Sequence, residues 1–338
     1  MKISFHQYDL RLKHTFTTAR GGRDVSPVVI LELEHDGVIG YGESAPIARY
    51  GESAETVATF LLKLDLARFE DPFQLEAILS YADASAEGNT AAKAGLDLGL
   101  HDWIGKKLGL PLYRYWGLQR ESTPKTSFTI GIDTPQVVEE KVREAERYQI
   151  LKIKLGGDHD EETIRAIRKV TKKVLRVDAN EGWKSKETAV EKIKWLEQEG
   201  VEFVEQPLPA SDLGGTAWVR ERVNLPLIAD ENSLRLHDVP KLRGIFDGIN
   251  IKLMKCTGLR EAIRMVHAAR ACDMKVMTGC MIESSVGISA AAQFSPLVDY
   301  ADLDGNVLIT NDPFDGVRSL DGTISLNDRP GIGVTKLF

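Results

Sequence analysis

The sequence is poor in cysteine and has no long apolar run, and each absence excludes a class of protein. Its 338 residues include three cysteines, at 256, 272 and 280, without the spacing of a disulfide framework or a zinc site. No apolar stretch approaches the roughly 20 residues that span a membrane, and the first residues lack the apolar core of a signal peptide. We therefore expect a cytoplasmic protein with reduced thiols and no membrane partner.

Positively charged residues are also fewer than negatively charged ones. The chain has 43 Lys and Arg residues against 50 Asp and Glu residues, which gives a net charge of −7. A nucleic-acid partner requires a basic face that neutralises phosphate, so we expect none. The glycine-rich fingerprint of dinucleotide-binding folds is missing, because GVIGYGE at 37–43 has the wrong order and opens no helix. The histidines show no HExxH or other ligand spacing, which argues against a histidine-based metal site.

The residues that are present fall into two parts with different rhythms, as the length of the chain predicts. Residues 1–122 begin with strand-like stretches and continue with helical patterns at 54–69 and 89–109, which is typical of a compact α+β domain. Residues 123–310 alternate short apolar runs with amphipathic helices. The eight runs are TSFTIGI, LKIKLG, VLRVDAN, EFVEQP, PLIADE, GINIKL, KVMTGC and DYADLD.

Eight short strands linked by helices predict an α/β fold, a modified (β/α)7β barrel of the TIM type with an N-terminal α+β capping domain. The last run is followed by a polar tail instead of a long helix, so we expect residues 311–338 to return to the capping domain. A doubly wound open sheet is the main alternative.

Charged residues recur once per strand–helix unit at the ends of strands two to six, and again at strand eight, whereas a solvated helix face repeats charges about every three or four residues. Parallel barrels place their chemistry at these carboxyl ends. Each residue alone has a structural explanation, such as a helix cap at Asp178, but their recurrence on different strands favours a site. The candidates are Lys152, Lys154, Asp178, Glu205, Asp230, Lys252, Asp302 and Asp304.

The closure of an eight-stranded barrel places neighbouring strands about 45° apart. Strands two and six, which end in the lysines, are therefore opposite each other. Strands three, four and five, each of which ends in a carboxylate, fill one arc between them. Three converging carboxylates repel one another, and a hard divalent cation with oxygen ligands resolves the repulsion. The sequence therefore predicts one Mg²⁺, held by Asp178, Glu205 and Asp230.

The lysine pair suggests proton transfer. A metal that holds a substrate carboxylate stabilises the enolate formed when the adjacent C–H is deprotonated. Two bases on opposite faces of that carbon, Lys154 and Lys252, can invert a stereocentre. A lysine base must be partly neutral, and we expect the charges of the metal and of Lys152, on the same strand face, to lower its pKa.

These residues resemble the enolase superfamily, muconate-lactonizing-enzyme subgroup, over the whole chain. The resemblance rests on KIK at 152–154, DAN at 178–180, EQP at 205–207, ADE at 229–231 and NIKLMK at 250–255. Sites of this superfamily are a known case of a Lys or His base paired with Mg²⁺. The resemblance implies that Lys154 and Lys252 are the acid/base residues and that the three acids are the Mg²⁺ ligands.

Within the subgroup, DLD at 302–304 is similar to the DxD motif of dipeptide epimerases. This similarity implies that Asp302 and Asp304 bind the α-ammonium group of a dipeptide. It further implies an Mg²⁺-dependent inversion of the α-carbon of the C-terminal residue by two-base 1,1-proton transfer. The other residues that we expect at the substrate pocket are Thr129, Lys152, Cys280, Met281 and Ile282.

The side-chain preference implied by the family depends on an arginine in the first loop. In members that act on L-Ala-D/L-Glu, such an arginine meets the glutamate side chain, and Arg20 is best placed for this role here, with Arg23 and Arg49 as alternates. We therefore expect L-Ala-D/L-Glu as the substrate, in turnover of peptidoglycan peptides. Family members often assemble into homo-oligomers, but no stripe in this sequence identifies an interface.

Several alternatives stay open. The same site could epimerise hydrophobic dipeptides, or it could run an o-succinylbenzoate synthase or muconate cycloisomerase reaction. The aspartate pair argues against both lyases, because neither substrate has an ammonium group. A Schiff-base aldolase could use a barrel lysine, and a dipeptide-binding barrel without turnover would need no lysine pair.

Overall fold

The chain begins with a three-stranded antiparallel sheet. The computed structural model describes residues 1–18, 21–319 and 321–337. The strands are β1 (Lys2–Thr18), β2 (Gly21–His35) and β3 (Val38–Ser44), paired in that order. The turn at Asp36 and Gly37 joins β2 to β3 with positive φ at both residues. The β1–β2 register shifts between Arg11 and Phe16, so the end of β1 is displaced from the regular ladder.

Helices cover one face of this sheet. They are α1 (Ala54–Lys63), α2 (Leu75–Ser85), α3 (Thr90–Leu108) and α4 (Leu112–Tyr115). Every residue of α3 from Ala91 to Gly105 is buried, as expected of a helix that packs on all sides. The predicted helix at 89–109 is therefore confirmed. The predicted helix at 54–69 is shorter, because it ends at Lys63 and a separate 3₁₀ turn, Leu66–Arg68, buries Leu66.

Eight parallel strands form the second part of the molecule. Hydrogen bonds link them in sequence order, and a bridge between Thr126 and Ala301 joins the first strand region to the last. The barrel is thus closed, which confirms the predicted architecture. The strands are β4 (Phe128–Ile130), β5 (Ile150–Lys154), β6 (Val174–Asp178), β7 (Val201–Glu205), β8 (Leu227–Ala229), β9 (Gly248–Lys252), β10 (Lys275–Gly279) and β11 (Tyr300–Asp302).

Helical crossovers connect these strands, whereas the element directly after β11 is a 3₁₀ turn, Gly305–Val307. Pro135 begins the first barrel helix, as its fixed φ favours at that position. The helices are α5 (Pro135–Glu144), α6 (Asp160–Val170), α7 (Lys186–Gln198), α8 (Leu213–Arg220), α9 (Val239–Leu242), α10 (Leu253–Cys256), α11 (Leu259–Ala271) and α12 (Ser285–Phe294).

The segment after the barrel contacts the first domain. It contains the short strands β12 (Phe314–Asp315) and β13 (Thr335–Lys336). The Ile332 amide donates to Asp102 Oδ1 at 2.9 Å, and Lys336 Nζ donates to Glu32 at 2.8 Å. The boundaries of the division into 1–122, 123–310 and 311–338 stay a prediction. Over the described residues, no helix has the length and apolarity to cross a membrane.

Candidate active site

A cavity of about 360 Å³ lies at the carboxyl ends of the barrel strands, beneath the first domain. The first domain contributes Ile47, Arg49 and Tyr50 to its wall, and the barrel contributes residues from the strand ends, Lys154 and Lys252 among them. Because both parts of the molecule line the cavity, the first domain shields chemistry at the barrel mouth from bulk water.

Asp178, Glu205 and Asp230 converge at this mouth. Asp178 ends β6 and stands in register with Glu205, the last residue of β7, while Asp230 follows β8 directly. All three side chains are buried, and one carboxylate oxygen from each lies within 4.8 Å of the others. Three hard oxygen donors at this spacing fit a divalent cation of the Mg²⁺ type.

Neighbouring side chains hold each acid in place. Asp178 Oδ1 accepts a hydrogen bond from the Asn180 amide at 2.9 Å, and Glu205 Oε1 accepts one from Asn250 Nδ2 at 2.8 Å. Burial, together with the charge of Asp178, raises the pKa of Glu205 to about 7. Its Oε2 lies 2.7 Å from Lys152 Nζ without an aligned hydrogen bond. A buried carboxylate oxygen without a hydrogen-bond donor fits the role of a metal ligand. A bound cation would favour the ionised form of Glu205.

The two candidate bases flank the acids. Lys154 Nζ lies 2.6 Å from Asp178 Oδ2, and Lys252 Nζ lies 2.8 Å from Asp230 Oδ2. Their strands, β5 and β9, are four positions apart in the barrel order and are therefore opposite. The two ammonium groups thus bracket the acid cluster from its two ends, as the sequence predicts.

The pKa of Lys252 is shifted in the opposite direction from the lowering that a lysine base requires. Burial would lower the pKa of Lys252, but the charges of Asp230 and Glu205 outweigh it and raise that pKa well above its usual range. In this arrangement Lys252 carries a proton and can act as a donor. A divalent cation among the same carboxylates would oppose their effect and bring the pKa down.

Lys152 bridges the acids on both sides of the mouth. It is 1% exposed, and its Nζ lies 2.7 Å from Asp302 Oδ2 and 3.2 Å from Asp178 Oδ2. Burial alone would lower the pKa of Lys152, yet the charges of Asp302 and Glu205 raise it well above its usual range. Lys152 therefore neutralises Asp302 and lines the cavity as a fixed cation.

Asp304, the second acid of the DLD motif, differs from Asp302 in its partners. Its Oδ2 accepts a hydrogen bond from the Thr129 amide at 2.6 Å, and it forms no ion pair with any residue that the structure describes. Burial and the charge of Asp302 raise the pKa of Asp304 to about 7. An ammonium group would supply the missing counter-charge, so Asp304 is better placed than Asp302 to bind one.

The other predicted pocket residues lie around the same cavity. Cys280, Met281 and Ile282 follow β10 and line it, as does Thr129 of β4. Glu283, to which sequence reasoning assigns no role, accepts a hydrogen bond from the Met281 amide at 2.7 Å and so orients this segment.

The candidate arginines differ in their surroundings. Arg20 lies outside the described residues. Arg49 pairs with Glu181 at 2.7 Å. Arg23 lines the cavity and has no ion-pair partner among residues 1–18, 21–319 and 321–337. Burial lowers the pKa of Arg23, and a carboxylate beside it would reverse that effect.

Sequence reasoning missed a fourth buried lysine at the barrel mouth. Lys255, in the first turn after β9, donates to a carboxylate oxygen and the main-chain carbonyl of Asp230 and to the carbonyl of Asn250. It fixes the Asp230 side chain from the side opposite Lys252. The signal is present in NIKLMK, because Asn250 and Lys252 share one strand face and Lys255 lies one helical turn further.

A closed (β/α)7β barrel whose mouth holds three buried acids between two opposed lysines defines a metal-assisted proton-transfer enzyme. The chain matches the family model "Mandelate racemase / muconate lactonizing enzyme, N-terminal domain" over residues 3–117. It matches "Enolase C-terminal domain-like" over residues 136–336. The chain therefore belongs to the enolase superfamily.

Individual relatives are similar over nearly the whole chain. The chain is 54% identical to the L-Ala-D/L-Glu epimerase of Bacteroides thetaiotaomicron, over 100% of this chain and 88% of the relative. The fold matches the substrate-liganded L-Ala-D/L-Glu epimerase of Bacillus subtilis with a TM-score of 0.94 and 31% identity, covering 99% and 98% of the two chains. The dipeptide epimerase of Cytophaga hutchinsonii, complexed with Mg and D-Ala-L-Val, matches with a TM-score of 0.93 and 29% identity, covering 99% and 95%.

Proposed function

We propose that this chain is an Mg²⁺-dependent dipeptide epimerase that inverts the α-carbon of the C-terminal residue, with L-Ala-D/L-Glu as its substrate. The observation that carries the proposal is the position of Lys154 and Lys252 at opposite ends of the acid cluster. Asp178, Glu205 and Asp230 would hold the cation. Bound Mg²⁺ would neutralise the substrate carboxylate and stabilise the negative charge that develops when the neighbouring C–H is deprotonated.

The chain's own residues divide the proton transfer between two faces. One lysine, in its neutral form, removes the α-proton, and the protonated lysine opposite delivers a proton to the other face of the planar carbon. Asp178 and Asp230 orient the two ammonium groups through hydrogen bonds of 2.6 and 2.8 Å. Because the roles exchange with the enantiomer bound, the same pair serves both directions.

The substrate preference is supported by charge at both ends of the cavity. Asp304, which forms no ion pair with the residues that the structure describes, offers its carboxylate to the α-ammonium group, and this favours a dipeptide over the substrates of the lyases. Arg23 offers a partly buried guanidinium to a side-chain carboxylate, which favours glutamate over a hydrophobic second residue. The relative from Bacteroides thetaiotaomicron carries the same substrate in its name.

We propose that the substrate arises from peptidoglycan peptides and that the enzyme works in the cytoplasm. The location is supported by three cysteines that form no disulfide. Assembly into homo-oligomers stays a prediction.

Proton NMR in D₂O with Mg²⁺ tests the function. We expect the wild type to exchange the glutamyl α-proton of L-Ala-L-Glu and to interconvert the two epimers. Lys252→Ala should abolish epimerisation, a loss of at least about 10²-fold, while exchange persists from one epimer; Lys154→Ala should retain exchange from the other. Lys241→Ala, which alters an exposed lysine paired with Asp238, is the control.

Three outcomes would reject parts of the proposal. Full epimerase activity in Lys252→Ala would exclude the two-base assignment. A faster rate with an Ala-hydrophobic dipeptide would exclude the glutamate preference. A covalent adduct trapped by borohydride on either lysine would favour the aldolase.

A further inference from the structure

A second cavity, of about 350 Å³, lies next to the active-site cavity. The two cavities have three residues in common: Phe16, Thr129 and Leu308, called here the shared wall. Phe16 belongs to β1, Thr129 to β4, and Leu308 follows the 3₁₀ turn after β11. The second cavity exists because β1 leaves its regular ladder between Arg11 and Phe16, so residues 12–15 line a space instead of closing it.

The shared wall lies at one end of the active site. Thr129 donates its amide proton to Asp304 Oδ2 at 2.6 Å, so the wall adjoins the acid that we propose for the ammonium group. On the far side, Tyr148 lines the second cavity, and burial and the charge of Asp304 raise the pKa of Tyr148 to about 12. The dipeptide end held by Asp304 is therefore the end that faces the wall. This step depends on the proposed function.

The interior of the second cavity is apolar. Leu12, Phe128 and Ile130 line it, and the rings of Phe128 and Tyr148 stack with centroids 4.6 Å apart. Five ionisable residues also line it: Lys13, His14, Lys141, Glu144 and Arg147. His14 and Glu144 pair at 3.1 Å with more than half of each side chain exposed, and Lys141, which is 13% exposed, pairs with Asp133 at 3.1 Å. Such a space suits a large apolar or aromatic side chain, and its mostly buried cation, Lys141, already has a counter-charge in Asp133.

We infer that the shared wall limits the size of the first residue of the substrate. The second cavity is then a subsite for a bulky apolar first side chain, from which the wall separates the active site. Phe16 and Leu308 confine that side chain to the size of alanine. Phe16 and Leu308 are only partly buried, so either side chain can be shortened without leaving a cavity in the hydrophobic core. Removal of either would join the two cavities behind Asp304.

The test compares Phe16→Ala and Leu308→Ala with the wild type on X-Glu dipeptides in which X is Gly, Ala, Val, Leu or Phe. We expect each wall variant to raise the ratio of kcat/KM for Phe-Glu over Ala-Glu by at least about tenfold, the scale of one or more methylenes in an apolar pocket. Leu12→Ala is the matched control, because Leu12 lines only the second cavity. Enlarging that cavity behind an intact wall should leave the ratio unchanged.

Dissociation constants for Ala-Glu and Phe-Glu, measured by titration calorimetry on Mg²⁺-loaded protein with both epimers present, give a second readout. An unchanged ratio in both folded wall variants, an equal rise in Leu12→Ala, or a wild type that treats Phe-Glu like Ala-Glu would overturn the inference. If no protein turns over any dipeptide, the proposed function fails and the ratio of dissociation constants alone decides the role of the wall. Absence of dipeptide binding would overturn both.

Discussion

Asp304 is a buried acid that forms no ion pair within the described part of the chain. Burial and Asp302 together raise its pKa to about 7, so the side chain loses its negative charge as the pH falls through neutrality. An α-ammonium group binds the ionised form and is poorly held by the neutral acid.

We therefore expect dipeptide affinity to weaken below pH 7, approaching about tenfold per pH unit, and to weaken again above about pH 8, where the α-ammonium group of the dipeptide loses its own proton. Binding measured from pH 5.5 to 8.5 checks the expectation. Propionyl-Glu, which lacks the ammonium group, should show no such dependence through this residue, and Asp304→Asn should bind the dipeptide weakly at every pH. Equal pH profiles for the dipeptide and for propionyl-Glu would remove Asp304 from ammonium binding.

Single residues at the strand ends are predictable from the sequence because barrel closure is a strict geometric constraint. It assigns Lys154 and Lys252 to opposite sides before any coordinates are known. The pairing of Lys152 with Asp302 at 2.7 Å could not be predicted, since it depends on side-chain distances across the mouth. The sequence indicates the position of Lys255, one turn after β9, but not its partner, because Asp230 follows a different strand, β8.

At the scale of elements, the contact between β3 and α3 holds the first domain together. A Cβ atom at Gly42 would lie 2.0 Å from the carbonyl oxygen of Gly95 in α3. That neighbour is backbone, which cannot move aside as a flexible side chain can. The sequence does not predict β3 as a strand, because glycine weakens the strand pattern, yet the glycines are what allow the helix to pack so closely.

Gly42→Ala should consequently destabilise the protein by about 1–3 kcal/mol or more, since either the strand or the helix must shift. Chemical denaturation of the wild type and the variant measures the difference. Gly214→Ala is the control: this glycine lies in α8 with no atom within 4 Å of an added Cβ, and alanine should be neutral or stabilising by up to about 1 kcal/mol. A Gly42→Ala protein as stable as the wild type would show that β3 and α3 have room for an additional methyl group.

At the scale of the whole molecule, the two domains meet through residues far apart in sequence. Glu43 of β3 accepts hydrogen bonds from the amide and hydroxyl of Ser284 at 2.8 and 2.7 Å, which joins the first domain to the loop after β10. No sequence pattern links Glu43 to Ser284. The existence of both domains, in contrast, follows from the different patterns of strands and helices that the two parts of the sequence predict. The fold class was therefore predictable and the interface was not.

The ion pairs at the barrel mouth determine how far the stability of the fold depends on the metal. Four buried or nearly buried lysines and four acids form a set of ion pairs there, so the acids already have counter-charges within the chain. These pairs are Lys152 with Asp178, Glu205 and Asp302, Lys154 with Asp178, and Lys252 and Lys255 with Asp230. The fold should accordingly persist when Mg²⁺ is removed, whereas the chemistry should stop.

We expect EDTA to abolish epimerisation, leave the far-ultraviolet circular dichroism unchanged, and lower the melting temperature only by the loss of ligand binding. Mg²⁺ at 100 times its Kd adds about 2.7 kcal/mol, which corresponds to a rise of several degrees in a domain of this size. In Glu205→Gln, which keeps the shape of the side chain but loses its charge, added Mg²⁺ should raise the melting temperature less. Unfolding on chelation would mean that the lysines do not balance the acids. Activity that survives chelation would exclude the cation from the reaction and would leave the lysines that line the cavity to offset the negative charge that forms when the α-carbon is deprotonated.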